Sequence, residues 1–326
     1  MAAKKVLVTG IGGNVGQGII RNIHSLPYEI NVVGTNIVDV SAGNYLCDTF
    51  YKVPFAYDLN YIPAIIDIVN REKIDLILPS TDYEIFYLAE NLSRIPCKVA
   101  VSGAEAARIY LDKYESWLHH EKYDIPFGRS VEPSLYKKQF KECIVKPKKG
   151  RGSRGIHINP IDFQKFSDEE YMVQELHKGE EITTAFYVTG QKKLHGSITM
   201  SRSLDNGATS SCKVVTEYDP MILPILEAMI DHAPLWGSVN LQSIVTADKK
   251  IIPFEVNCRI SGTNSIRSNF GFKDVQYTLQ EFLYNEQPDI PKIINGIAFR
   301  VLADVIYPNA VDFKDLKDKS SEHFIF

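Results

Sequence analysis

The first hundred residues alternate short apolar runs with stretches of helical periodicity, and few architectures accept that alternation. The runs Val6–Thr9, Asn31–Gly34, Leu76–Pro79 and Val99–Ser102 are rich in Val, Ile and Leu and read as buried strands. Between them, Gly16–His24 and Tyr61–Arg71 carry apolar residues at helical spacing. Strand, helix and strand in succession predict parallel strands joined by crossover helices, an α/β domain. Ser102 and Glu105 have the S-x-x-E spacing of a capping box, so a helix is expected to start there and leave the domain. A second helix is expected from Asp112-Lys113 to Ile125-Pro126, where proline ends it.

Beyond this point the pattern changes. From Glu142 to Tyr187 it reads strand, glycine-rich loop, strand, helix, strand. From Lys193 onward strands predominate, at Leu194–Met200, Val239–Thr246 and Ile251–Val256, with a hairpin turn at Ala247-Asp248-Lys249-Lys250. A helix near Val275–Tyr284 and a strand near Ile297–Ala303 follow. At 326 residues the chain has room for two or three lobes with cores of their own, and the expected divisions are 1–105, 106–188 and 189–326. A net charge of −4 gives no reason to expect a nucleic-acid partner. The five cysteines, at 47, 97, 143, 212 and 258, show no C-x-x-C pair and read as reduced thiols. No run reaches the roughly 18 apolar residues of a membrane helix, and no apolar leader precedes Lys5, so a cytoplasmic protein with no membrane partner is expected.

Two glycine-rich loops carry the chemistry, and the first misleads. Thr9-Gly10-Ile11-Gly12-Gly13-Asn14-Val15-Gly16 follows a strand and opens a helix, as a dinucleotide fingerprint does. Its T-G-x-x-G-x-x-G form is that of short-chain dehydrogenases, which need a Tyr-x-x-x-Lys pair. None of the 17 tyrosines has lysine four positions later. A Walker A loop fails as well, because Ile19 stands where lysine is required. The second loop is the most basic stretch of the chain: a strand delivers Lys146, and Pro147-Lys148-Lys149-Gly150-Arg151-Gly152-Ser153-Arg154-Gly155 follows. Small residues let backbone N–H groups converge on an anion while Lys and Arg add charge. A solvated basic hairpin would explain the charge but not the glycines between the charges.

Two further stretches place polar groups on apolar strands. Val173-Gln174-Glu175-Leu176 ends in an acid and is followed by Gly179-Glu180-Glu181, offering acceptors to an adenine amino group and to ribose hydroxyls. On Phe254-Glu255-Val256-Asn257-Cys258-Arg259 a period of two puts Glu255, Asn257 and Arg259 on one face. Glutamate and asparagine oxygens are hard ligands suited to Mg²⁺, and Arg259 can reach a transferring phosphoryl group.

The order of these motifs resembles the ATP-grasp superfamily, especially the branch of the carbamoyl-phosphate synthetase large subunit and the stand-alone amino-acid ligases. The resemblance spans nearly the whole chain and implies an ATP-grasp fold preceded by a Rossmann-like, parallel α/β domain. It implies nucleotide contacts from Lys113, Lys146 and Lys148, a mobile phosphate flap around Gly152 and Ser153, an adenine hinge at Glu175 and Leu176, and a ribose ligand at Glu181. Gln242, Glu255 and Asn257 stand where the family places metal ligands, and Arg259 where it meets the γ-phosphate and acyl phosphate. Cys258 replaces the family's usual proline, and Gln242 is neutral where many relatives use an acid. The implied activity is ligation of a small carboxylate, such as an amino acid, to an amine or thiol through an acyl phosphate. ATP and Mg²⁺, with Mn²⁺ as an alternative ion, are the implied cofactors, and family members are often homodimers. Asp82, Glu84, Ser261 and Arg267 are the candidate substrate residues. The competing readings are an ATP-binding module without catalysis and a nicotinamide oxidoreductase using Gly10–Gly16.

Overall fold

The computed structural model describes residues 3–150, 152, 154–205, 207–316 and 318–326. Its first sheet holds β1 (Lys4–Val8), β2 (Ile30–Asn36), β3 (Thr49–Lys52), β4 (Leu76–Leu78) and β5 (Lys98–Val99), in the order β3-β2-β1-β4-β5. All its pairings are parallel, as the crossover pattern requires. Helix α1 (Asn14–His24) packs on one face through Ile19, Ile20 and Ile23, while α2 (Tyr61–Glu72) and α3 (Asp82–Glu90) pack on the other. Gly10 turns the chain between β1 and α1 with φ +59°, and a Cβ there would lie 2.3 Å from Ser80 Oγ, so only glycine fits. The sequence reading missed β3 and α3. The latter carries a true capping box, Thr81 with Glu84.

Helices α4 (Ala104–Leu111) and α5 (Lys113–Lys122) lead out of this domain. The expected capping box at Ser102 does not form: Gly103 is the N-cap of α4, and the Ser102 hydroxyl instead donates to Trp236 O and accepts from Trp236 N. Asp112 caps α5, accepting from the backbone of Tyr114 and Glu115. A four-stranded antiparallel sheet follows, built from β6 (Ser130–Val131), β7 (Cys143–Pro147), β8 (His157–Ile158) and β9 (Tyr171–Glu175), in the order β6-β9-β7-β8. The helix expected between β8 and β9 is absent among the described residues, which form turns there.

The largest sheet is antiparallel: β10 (Gly179–Val188), β11 (Leu194–Asp205), β12 (Ala208–Val214), β13 (Gly237–Thr246), β14 (Ile251–Asn257) and β15 (Ile297–Phe299), ordered β14-β13-β10-β11-β12-β15. β10 pairs with both β11 and β13, so a division after residue 188 would cut a hydrogen-bonded pair. We place the boundary before Gly179 instead. Helix α6 (Asp219–His232), unrecognised in the sequence, covers this sheet with Ile222, Leu226 and Met229. The short helices α7 (Asn264–Arg267) and α8 (Asp274–Thr278) return the chain to the first domain, where α1 packs against both. No helix among the described residues is long and apolar enough to cross a membrane.

Candidate active site

The four-stranded and six-stranded sheets face each other across a cleft of about 250 Å³. At one end lie Glu175, Leu176 and His177; at the other lie Lys113, Lys146 and Glu255; Glu181 and Gln242 stand together, sharing one Arg202 nitrogen. Ile144, Ile244, Ile252 and Phe254 supply apolar walls between these groups.

A break in strand register brings two kinds of side chain to this one cleft. Gln242 pairs with Glu255 and Ser243 with Pro253, leaving Phe254 as the extra residue of a β-bulge. Strict alternation would send Phe254 and Glu255 to opposite faces, yet both line the cleft. The sequence period grouped Glu255 with Asn257 and Arg259, yet of the three only Glu255 lines the cleft, where Phe254 and Ile252 join it.

Lys146 is buried, with Nζ donating to Gln174 Oε1 at 2.8 Å and to Phe254 O at 3.1 Å. Burial pushes its pKa down to about 7, opposed by Glu255 and reinforced by Lys113. Lys113 donates to Gly150 O at 3.1 Å and lies 3.9 Å from Glu255, so it ties the glycine flap to the acid. Lys148 does not join them. It pairs with Glu132 at 3.0 Å and lies 4.5 Å from the centre of the Tyr114 ring, outside the cleft lining. Gly152 lines the cleft, whereas Ser153 lies outside the described residues.

At the opposite end the Glu175 carboxylate takes both arms of Arg129, at 2.8 and 3.0 Å, and the Arg129 bond is the main cause of its lowered pKa. Its side chain is therefore committed, as are the Glu175 and Leu176 N–H groups, which donate to Arg129 O and Glu142 O at 2.8 and 3.0 Å. Glu181 receives two bonds from Arg202, both on Oε1, at 2.9 and 2.6 Å, so its Oε2 remains the acceptor for a hydroxyl.

Arg202 escaped the sequence reading, and it changes the metal set. Its Nη2 also donates to Gln242 Oε1 at 2.6 Å, while Gln242 Nε2 donates to Asn257 Oδ1 at 3.2 Å. Flipping the Gln242 amide would set its NH₂ against the Arg202 donors, so the orientation is fixed by its neighbours. The one oxygen Gln242 could give a metal faces the Arg202 charge, whereas Asn257 Oδ1 accepts only from the neutral Gln242 amide at 3.2 Å, so Gln242 is the weakest of the three expected ligands. Glu255 and Asn257 are the stronger two, a carboxylate and an amide whose hard oxygens fit Mg²⁺ with phosphate and water completing the shell. No cluster of three or more His, Cys, Asp or Glu suited to a metal occurs among the described residues.

Arg259 is gripped by Asp82 from the first domain, Nε to Oδ1 at 2.9 Å and Nη2 to Oδ2 at 2.7 Å. Burial works against the Arg259 charge, but Asp82 prevails and its pKa is raised. Asp82 thus reaches the site, whereas the other three candidate substrate residues do not. Glu84 is buried beneath Gly10, accepting from Thr9 and Thr81 hydroxyls at 2.7 and 2.8 Å, and burial raises its pKa. Arg267 is 0% exposed and spans Asp274, Ser261 and Thr263, so it and Ser261 form a sealed internal network. A buried guanidinium persists only when paired in this way.

The first glycine loop lies outside the cleft lining, with Gly12, Gly13 and Asn14 exposed. The 261–264 segment closes over the start of α1: a Cβ at Gly262 would lie 3.1 Å from Asn14 Nδ2, and Asn264 Nδ2 donates to Val15 O at 3.3 Å. The nicotinamide reading thus has only this loop behind it, and no Tyr-x-x-x-Lys pair accompanies it.

Known proteins share this fold. The PylC-like N-terminal domain family matches residues 6–100, and the ATP-grasp domain family matches residues 111–263. No curated protein matches the sequence significantly. Among solved structures, carboxyaminoimidazole ribonucleotide synthase from Aspergillus clavatus, complexed with ATP, superposes with a TM-score of 0.73 at 14% identity, over 90% of this chain and 81% of that one. The biotin carboxylase domain dimer of Hydrogenobacter thermophilus 2-oxoglutarate carboxylase, in complex with MgADP, ADP and bicarbonate, gives 0.71 at 14% identity, over 90% and 73%. Biotin carboxylase from Campylobacter jejuni, as its β-γ-ATP complex, gives 0.69 at 16% identity, over 90% and 74%. The chain carries an ATP-grasp domain over residues 111–263, preceded by a PylC-like N-terminal domain over residues 6–100.

Proposed function

We propose that this protein is an ATP- and Mg²⁺-dependent ligase that joins a small carboxylate to an amine through an acyl phosphate, releasing ADP and phosphate. One observation carries the reading: two lysines, the Glu255 carboxylate and flap glycines line one cleft with a hinge and the hydroxyl acceptor Glu181. A carboxylate is a poor electrophile until it is activated. In the first step its oxygen attacks the γ-phosphorus, and the bond to ADP breaks with its electron pair leaving on ADP. In the second, the amine nitrogen attacks the acyl carbon, the carbon–oxygen bond to phosphate breaks, and the amine releases a proton to solvent.

Catalysis of phosphoryl transfer is mainly positioning and charge neutralisation. Lys113 and Lys146 hold the phosphates, Arg259 would have to turn from Asp82 to meet the group in transfer, and the flap that Lys113 tethers through Gly150 excludes water. Bound at Glu255 and Asn257, Mg²⁺ supplies Lewis-acid charge to the phosphate oxygens; Mn²⁺ suits the same oxygen donors. A thiol in place of the amine fits the same second step, and the bicarbonate of the Hydrogenobacter relative is itself a small carboxylate-like acid. Phosphate release from MgATP, measured over paired small carboxylates and amines with mass spectrometry of the products, tests the reading. Release should require both partners, and the product mass should equal acid plus amine minus water. Tight nucleotide binding without release from any pair would favour a nucleotide-binding module instead.

A further inference from the structure

Asp82 opens α3, and the first domain holds it in place. Thr81 caps that helix in a box with Glu84, and Glu84 accepts from the Thr9 hydroxyl at the end of β1, at 2.7 Å. From this fixed position the Asp82 carboxylate reaches across to the last lobe. Both its oxygens accept from Arg259, and Oδ1 also accepts from Asn257 Nδ2 at 3.4 Å. The two side chains are 22% and 13% exposed, so their charge-assisted bonds are only weakly screened. Arg259 has little else to hold it. Among the described residues its guanidinium makes one other bond, from Nη1 to Ile260 O at 3.4 Å.

Asp82 shares a small recess with Lys113, Glu255 and Asn257, so its grip on Arg259 lies beside the phosphate end of the cleft. An arginine brought to the group in transfer is worth about 10³–10⁵ in rate in phosphoryl-transfer enzymes. A carboxylate that fills the arginine's fork withholds that charge. The γ-phosphate alone, or a substrate carboxylate alone, exchanges one anionic partner of Arg259 for another. Together they set two anions against one, and the balance moves away from Asp82.

We propose that Asp82 is a positioning residue that withholds Arg259 from the γ-phosphate until a substrate carboxylate is bound beside it, and so keeps ATP cleavage coupled to ligation. This rests on the ligase reading, which supplies the need for that coupling.

The test is phosphate release from MgATP by the full chain with no other substrate added. Water is then the nucleophile: its oxygen attacks the γ-phosphorus, the bond to ADP breaks with its electron pair leaving on ADP, and a proton goes to solvent. Asp82→Asn keeps the shape and removes the competing charge. Release should rise about tenfold or more, the worth of one to two charge-assisted bonds. A damaged fold does not produce such a gain. Asp82→Glu keeps the charge and should stay close to wild type, and in an Arg259→Gln background Asp82→Asn should bring no rise. Calorimetry gives a second readout: Asp82→Asn should bind the Mg²⁺ complex of a non-hydrolysable ATP analogue more tightly, with little change for MgADP, which lacks the γ-phosphate. No rise in Asp82→Asn, or a rise that persists without Arg259, would overturn the assignment. Neither result touches the ligase reading, which is judged on wild-type release with carboxylate and amine pairs. Absence of that paired release would overturn the ligase reading and this assignment with it.

Discussion

Glu255→Ala should lower ATP turnover by about a thousandfold or more while leaving the fold intact. With Gln242 committed to Arg202, Glu255 is the only carboxylate in the proposed metal set, and Asn257 alone is a neutral ligand. Losing the single anionic donor removes both a ligand and the counter-charge to Lys113. The structural cost is small, because that ion pair is long, at 3.9 Å, and the side chain borders an open cleft. Phosphate release and a thermal melt on the same preparation check both halves. A variant with wild-type turnover would refute the metal assignment.

The second large effect centres on Lys146. In the empty site burial holds its pKa at about 7, well below the usual 10.5. Nucleotide phosphates favour the charged form, so MgATP binding at pH 8 should take up close to one proton, and binding at pH 6 almost none. Apparent affinity should then fall as pH rises above about 7, by up to tenfold per unit. Stability of the empty protein follows the opposite sign. Between pH 7 and 10.5 the unfolded chain binds the extra proton, so this residue's contribution rises with pH across that window. Lys146→Met should weaken MgATP binding about a hundredfold, as loss of charge-assisted bonds worth about 1.5–3 kcal/mol each implies, and abolish the proton uptake. The variant should still fold: methionine fills similar space, and the stranded Gln174 oxygen is offset by removal of a buried amine. Titration calorimetry in two buffers of different ionisation enthalpy reads the uptake directly. Unchanged uptake in Lys146→Met would assign the proton to another group.

The sequence announced the order of the lobes and the residues at both ends of the cleft because those signals are local: a strand, a glycine loop, a polar residue at period two. What it concealed depends on packing. Thr81-Asp82-Tyr83-Glu84 fits a T-x-x-E cap as well as Ser102–Glu105 fits S-x-x-E, yet only the first forms, because Trp236 claims the Ser102 hydroxyl. Glu84 was therefore read as a substrate acid when it is a buried cap. Arg267 resembled a surface anchor because charged residues are rarely sealed inside; Asp274, seven residues on, makes its burial tolerable. Arg202 was invisible because its two partners, Glu181 and Gln242, come from different strands and meet only in the folded sheet. The bulge at Phe254 likewise exists only in the pairing of β13 with β14.

The central claim is that ATP phosphorylates the substrate carboxylate. The most direct measurement follows ¹⁸O from a carboxylate labelled at both oxygens, using the acid that the phosphate-release assay selects. The account predicts one ¹⁸O atom in each phosphate released and one retained in the product. Phosphate released without label, while product still forms, would mean that the carboxylate never attacks the γ-phosphorus, and the acyl-phosphate mechanism would be wrong.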